Sequence, residues 1–286
     1  MSPRKKAAGA GGRPAQEEYR EDQTPSSGIF FKAGRVLYSG RSAHQKIEVI
    51  DNEAFGRVLF LDGLVQTTDR DEFFYHEMLA HPALTTHPGP RRLLIVGGGD
   101  GGLLHQSLAY PLERVVLCEI DPDVIEVSKA FFPWLEPGLR DGRVELVLAD
   151  ADDFIGRSKE KFDVILVDSS DPVGPSTVLH EEAFFRRLKT RLGAEGVLAA
   201  QAGSLLFHRD SFRRTGAFLS RLFRVARMYL GPVPTYPGGM WCYRYLAEGA
   251  DPFRFFRQPP PGLRYYNREV HEAAFALPGL LREDLD

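Results

Sequence analysis

The chain has 286 residues, 43% hydrophobic and 26% charged, and its 36 Lys and Arg against 39 Asp and Glu leave a formal net charge of −3. This is globular composition with material for about two domains or one large α/β domain, and the lack of a basic excess argues against a dedicated nucleic-acid binder. Two cysteines, Cys118 and Cys242, cannot build a disulfide framework and point to a reducing compartment, while no apolar run approaches the roughly 18 residues that a membrane span needs.

Residues 1–26 begin with a basic cluster (Arg4, Lys5, Lys6) and continue in Ala, Gly, Pro and Glu. So few large apolar side chains cannot offset the entropy of ordering, which predicts a disordered tail. No apolar segment follows the basic start, so no signal peptide is expected and the cytoplasm is the expected location. From Gly28 the pattern changes to short β-type runs: Phe30-Phe31, Val36-Leu37-Tyr38, Ile47-Glu48-Val49-Ile50 and Val58-Leu59-Phe60-Leu61. Gly34, Ser39-Gly40, Asp51-Asn52 and Asp62-Gly63 punctuate them, which predicts a small antiparallel β-hairpin domain over residues 27–67.

Beyond Gln66 helix and strand alternate. Asp69 and Glu72, at capping-box spacing, open a helix to about Leu84. Strands follow at Arg92–Val96, Val115–Ile120, Val144–Leu148, Phe162–Val167 and Gly196–Gln201. The helices between and after them fall at Gly102–Leu108, Pro122–Phe131, near Phe154, at Glu181–Arg191 and at Ser211–Phe223. This βαβ order predicts an α/β, Rossmann-like, doubly wound and mostly parallel sheet within residues 68–286, with a binding crevice at the strand C-termini. Pro259-Pro260-Pro261-Gly262 breaks the pattern, and Tyr265–Leu281 reads as a short helical tail.

Gly97-Gly98-Gly99-Asp100-Gly101-Gly102 follows the first strand of the sheet and fits G-x-G-x-x-G. Alone the motif suits dinucleotide and nucleoside binders equally, or a tight turn with no ligand. Asp100 narrows the choice, because a carboxylate at the loop's centre repels a phosphate and suits an ammonium group. Glu119 ends the second strand, where an acidic side chain accepts from two ribose hydroxyls; nearby Asp121 could serve instead, and Glu119 is favoured by its place at the strand edge. Asp150-Ala151 ends the third strand, where the acid could accept from an adenine amino group and Ala151 leaves room for a ring. Asp152 and Asp153 are expected to cap the next helix.

Asp168-Ser169-Ser170-Asp171-Pro172-Val173-Gly174-Pro175 follows the fourth strand. A second acid crowded against Asp168 would raise its pKa and make it a better proton acceptor for an amine; a plain loop with a helix cap is the other reading. Tyr75, His76 and Tyr236 are either aromatics rimming an acidic pocket, able to stack on alkylammonium groups, or ordinary core aromatics. His76 and His81 are five apart, which does not put them on one helix face, so no metal site is expected.

Leu61-Asp62-Gly63, Gln66-Thr67 and Asp71-Glu72-Phe73-Phe74-Tyr75-His76-Glu77-Met78 resemble the spermidine synthase family of polyamine aminopropyltransferases, bacterial type. So do the Gly97–Gly102 loop, Cys118-Glu119-Ile120-Asp121, the Asp168–Pro175 turn and Pro234-Thr235-Tyr236-Pro237. The resemblance runs from about Gly28 to Glu248 and extends into the tail. It implies transfer of the aminopropyl group of decarboxylated S-adenosylmethionine, a co-substrate, to a diamine such as putrescine, with no further cofactor. Gln45, Asp100, Glu119, Asp150, Ala151 and Pro175 would hold the donor. Tyr75, His76, Asp100, Asp168, Ser169, Ser170, Asp171, Gln201 and Tyr236 would line the amine site, with Trp241 near its rim and Asp168 as proton acceptor. His44 stands where relatives commonly carry tyrosine. A homodimer or homotetramer joined through the hairpin domain is expected.

Cadaverine, agmatine or spermidine remain alternative acceptors. A methyltransferase using intact S-adenosylmethionine shares the same sheet, but Asp100 and the double-acid turn oppose it. No hydride-transfer constellation supports an oxidoreductase, and a silent polyamine-binding protein would have no need of Asp168, Asp171 and Tyr75 together.

Overall fold

The computed structural model describes residues 17–169 and 179–285. Residues 1–16 lie outside the described residues, as do Ser170, Asp171 and Pro175 of the turn after the fourth strand. At the N-terminal end, strands β1 (Glu18–Thr24) and β2 (Ser27–Lys32) pair antiparallel. Strands β3 (Arg35–Arg41), β4 (Lys46–Asn52), β5 (Gly56–Leu61) and β6 (Leu64–Thr68) form a four-stranded antiparallel sheet in chain order. Asp62 and Gly63 join β5 to β6 with φ of 48° and 83°, the double left-handed turn that an Asp-Gly pair favours.

The expectation of a disordered tail over residues 1–26 is corrected where β1 begins. This strand is poor in large apolar side chains, which hides it in the sequence. Its order comes from a few specific contacts: the Tyr19 ring lies 5.1 Å from that of Phe60, and Glu21 accepts the Val65 N–H at 2.8 Å. The hairpin unit therefore starts near residue 18 rather than 27.

Helix α1 (Glu72–Thr86) is buried on almost every side; all its residues except Glu72 and Phe74 are buried. The expected capping box is not made. Asp69 instead accepts from the Arg57 backbone N–H at 2.9 Å and from its guanidinium at 2.8 Å. Asp71 stands at the N-cap, where it takes the Thr68 hydroxyl at 2.7 Å and both the N–H and the hydroxyl of Thr235.

The main sheet contains β7 (Arg92–Gly97), β8 (Arg114–Glu119), β9 (Val144–Leu148), β10 (Phe162–Asp168), β11 (Leu192–Ser204), β12 (Val225–Pro232) and β13 (Met240–Ala247). Their order is β12-β13-β11-β10-β7-β8-β9, parallel from β11 to β9 with β12 and β13 antiparallel at one edge. Both faces are covered, so the central strands are continuous apolar runs. Leu93, Ile95, Leu117 and Leu166 pack toward α1, while Leu94, Val96, Val116 and Ile165 meet α6 (Glu182–Arg191) and α7 (Arg209–Leu222). The antiparallel pair β12–β13 was not anticipated from the sequence; Pro232 at the end of β12 and Pro234 and Pro237 between the strands mask the alternation.

The remaining helices are α2 (Gly102–Ser107), α3 (Pro122–Phe131), α4 (Leu135–Leu139), α5 (Ala151–Arg157), α8 (Arg268–Ala274) and α9 (Gly279–Leu285). The chain ahead of α8 is tied to α1 by Glu77, whose carboxylate accepts the N–H groups of Arg264, Tyr265 and Tyr266. No described helix is long and apolar enough to cross a membrane. Between β7 and β10 the strand order reverses, and there Gly97 pairs with Asp168. A doubly wound sheet forms its crevice at such a point.

Candidate active site

The C-terminal edge of the parallel strands lays the chemistry out in order. Trp241 lies in β13, Gln201 in β11, Asp168 at the end of β10, Gly97 at the end of β7, Glu119 at the end of β8 and Asp150 just past β9. All of them line one cavity. The glycine loop is shaped by protein neighbours. A Cβ on Gly97, whose φ is 74°, would lie 2.1 Å from the Asp168 carbonyl oxygen. A Cβ on Gly102 would lie 2.1 Å from Cε1 of His76.

Asp168 occupies the middle of the row. Its Oδ1 accepts the Tyr75 hydroxyl at 2.5 Å. Burial, then the Asp100 charge, raises its pKa to about 6, against the opposing pull of His76 and of the Tyr75 hydrogen bond. The sequence suggested Asp171 as the crowding acid; among the described residues that acid is Asp100, brought in by the glycine loop. Burial and the neighbouring carboxylate also hold the Tyr75 phenol well above its ordinary pKa, so it stays a donor.

Asp100 is not a lone carboxylate. Its Oδ2 lies 3.2 Å from Nε2 of His76, and its Oδ1 accepts the Gly102 N–H at 3.0 Å. Nδ1 of His76 lies 2.7 Å from Glu72. Burial opposes the charge on His76, but Asp100 and Glu72 outweigh it and raise its pKa well above the ordinary value. His76 therefore stands behind Asp100 rather than on the cavity wall, which corrects its reading as a lining residue. Possible ligand atoms of His76, Asp100 and Asp168 lie within 4.8 Å of one another. Nδ1 faces Glu72 and Nε2 faces Asp100, so as an imidazolium the ring donates at both nitrogens and the trio suits proton and ammonium chemistry.

On the β8 side, burial is the largest cause that raises the Glu119 carboxyl to about 7; the Asp121 charge adds to it, while the Asp121 N–H, accepted at 2.9 Å, opposes it. Asp121 is fully buried and bound by Ser42, Gln45 and the N–H of Asp123. Only Glu119 of the two faces the cavity, with Gln45 and the exposed His44 beside it. Asp150 is the cap of α5, accepting from the Asp153 N–H at 3.0 Å, so the cap role expected of Asp152 and Asp153 is corrected. Those two pair with Arg187 and Arg157. Asp150 and Ala151 both line the cavity.

On the other side of Asp168 the wall is aromatic. The Tyr236 ring lies 5.6 Å from Tyr75 and 4.7 Å from Trp241. Gln201 donates to the Ser169 carbonyl oxygen at 2.7 Å and accepts from the Trp241 indole at 3.1 Å. Two lining acids were missed in the sequence: Asp62 of the β5–β6 turn and Glu21 of β1, the latter 5% exposed. Glu21 fell in the stretch read as tail, and an isolated Glu in a polar segment carries no motif.

Residues 72–252 match the spermine/spermidine synthase domain, and residues 19–69 match the spermidine synthase tetramerisation domain. The chain belongs to the spermidine synthase (polyamine aminopropyltransferase) family. A polyamine aminopropyltransferase of Moorella thermoacetica is 41% identical over 94% of this chain and 96% of the relative. That of Thermotoga maritima is 40% identical over 90% of each chain. A crystal structure of a spermidine synthase in complex with the transition-state analogue AdoDATO superposes with a TM-score of 0.91 at 38% identity, covering 96% of this chain and 98% of the other. Within this family frame, the structure gathers Gln45, Tyr75, Asp100, Glu119, Asp150, Ala151, Asp168, Ser169, Gln201 and Tyr236 around one cavity.

Proposed function

We propose that the protein transfers the aminopropyl group of decarboxylated S-adenosylmethionine to putrescine, giving spermidine and methylthioadenosine. The carrying observation is the position of Asp168. It stands at the strand reversal, with Glu119 and Asp150 to one side and Tyr75, Gln201, Tyr236 and Trp241 to the other. The nucleoside lies on the Glu119 side, its ribose hydroxyls donating to that carboxylate. The amine lies along the aromatic wall, where ring faces attract an alkylammonium chain, and Glu21 at the hairpin side takes its far ammonium group.

The reaction forms one N–C bond and breaks one C–S bond. Asp168 takes a proton from the near ammonium group, the freed amine attacks the propyl carbon next to the sulfonium, and the thioether leaves as methylthioadenosine. A carboxyl with a pKa near 6 is ionised at neutral pH yet basic enough to share in the transfer. Asp100 and Asp168 against the single imidazolium of His76 leave the site anionic, which attracts both cationic substrates and disfavours the extra carboxylate of intact S-adenosylmethionine. The tetramerisation domain supports a homotetramer, and two buried free cysteines suit the cytoplasm.

Product analysis by mass spectrometry, with decarboxylated donor and a panel of putrescine, cadaverine, agmatine and spermidine, tests the proposal. Spermidine as the dominant product supports it. Preference for another amine would overturn putrescine, and methyl transfer from intact donor would overturn the class.

A further inference from the structure

Glu72 opens α1 one turn ahead of His76 and does not line the cavity. The i,i+4 spacing sets the two on one face of the helix, with Glu72 half-buried and His76 buried, their side-chain exposures being 13% and 3%. The anion also sits at the positive end of the helix dipole, which favours its ionised form. From Glu72 the contacts run inward in a line: 2.7 Å to Nδ1 of His76, then 3.2 Å from Nε2 to Asp100. Both ring nitrogens meet a carboxylate oxygen, so both donate, and only the imidazolium has two N–H groups. Gly102 makes this possible, since any side chain there would occupy the space of the ring.

We propose that Glu72 is a positioning residue for the transfer step: it holds His76 as an imidazolium against Asp100, so that a fixed positive charge faces the Asp100–Asp168 pair. The proposal rests on the aminopropyl-transfer reading. The charged and titratable groups around the pair are Glu72 and Tyr75 on α1, Asp100 on the glycine loop, Glu119 on β8, Tyr236 on the loop after β12 and Tyr243 on β13. Among the described ones His76 is the only cation. Without Glu72 only Asp100 is left to offset burial, so the ring holds its proton less firmly. Asp100 is then less fully neutralised, and Asp168 holds its own proton to higher pH. A protonated Asp168 cannot accept from the amine.

Two measurements test this. The first is the pH profile of kcat/KM for the amine in wild type and Glu72→Gln. The acid limb is expected to move up by about one pH unit, so that the variant is impaired most at low pH and regains activity as pH rises. A limb that stays in place while turnover falls would mean that Glu72 only packs, and would overturn the proposal. The second reads the wild-type protein directly: 15N NMR after histidine labelling, with the His76 signal assigned by its loss in His76→Gln. Two protonated ring nitrogens at pH 7.5 are expected, and a neutral ring would overturn the proposal. A wild-type protein inactive with every amine would overturn the reading of function instead, and the ring measurement, repeated on Glu72→Gln, would still decide whether Glu72 keeps His76 charged.

Discussion

Tyr75 donates its hydroxyl to Asp168 at 2.5 Å, from a buried helix to the end of the central strand β10. The bond favours the ionised carboxylate. Tyr75→Phe removes that support without opening a cavity, so the pKa of Asp168 rises. We expect a loss of roughly tenfold in kcat/KM at neutral pH, larger at pH 6.5 than at pH 8.5. A uniform loss across the pH range would show that the phenol acts on something other than this carboxyl.

Glu119 carries a carboxyl raised to about 7, chiefly by burial. The sign of its effect on folding follows: the group favours the folded state below its unfolded pKa, and that contribution is lost as pH rises toward 7. Glu119→Gln is therefore expected to raise the thermal midpoint of the ligand-free protein at pH 8 and to give no gain at pH 4. The same change weakens methylthioadenosine binding by roughly 1–2 kcal/mol, because an amide accepts from ribose hydroxyls less strongly than a carboxylate. Calorimetry that finds nucleoside affinity intact would remove Glu119 from the donor site.

Glu21 belongs to a different element from every other lining acid and sits on the hairpin side of the cavity. Glu21→Gln is expected to raise the KM for a diamine by about tenfold, the scale of one lost ion pair in a partly desolvated site, and to leave the KM for a monoamine such as propylamine unchanged. Equal effects on both amines would place Glu21 away from the far ammonium group.

The segment after β13 is fastened by two fully buried histidines. His81, bonded to Tyr110 and Gln106, lies with its ring 5.2 Å from that of Tyr266, and His271 meets Tyr266 and the Pro252 carbonyl oxygen. Burial lowers their pKa values to about 3 and about 4. Their contribution to stability is complete above pH 6.5 and is lost progressively as pH falls toward those values. Hydrogen-exchange protection factors of residues 264–275 are expected to fall between pH 6.5 and pH 4.5 more than those of β7. An equal fall would show that the tail is not the acid-sensitive part.

Most of the parallel sheet was legible because its strands are apolar runs between helices with their own start signals; Pro122 after Asp121 is an example. Glu119 and Asp168 lie at strand ends and Asp100 in the loop after β7, positions that the βαβ order marks out. Besides the β12–β13 pair and the hairpin-side lining acids, three things were not legible. β1 is ordered by tertiary contacts of Tyr19 and Glu21 rather than by its own composition. The N-cap of α1 is Asp71 rather than Asp69, since Thr235, far along the chain, competes for it. The pairing of His76 with Asp100 depends on the glycine loop folding back over α1, which spacing along one helix cannot reveal.

The most direct test is methylthioadenosine release by Asp168→Asn against wild type, with saturating decarboxylated donor and putrescine, alongside the nucleoside dissociation constant of each protein. If Asp168 accepts the proton, turnover falls on the order of 10²-fold or more while nucleoside affinity changes little. Turnover near the wild-type value would contradict the account, because the amine would then be losing its proton to another group.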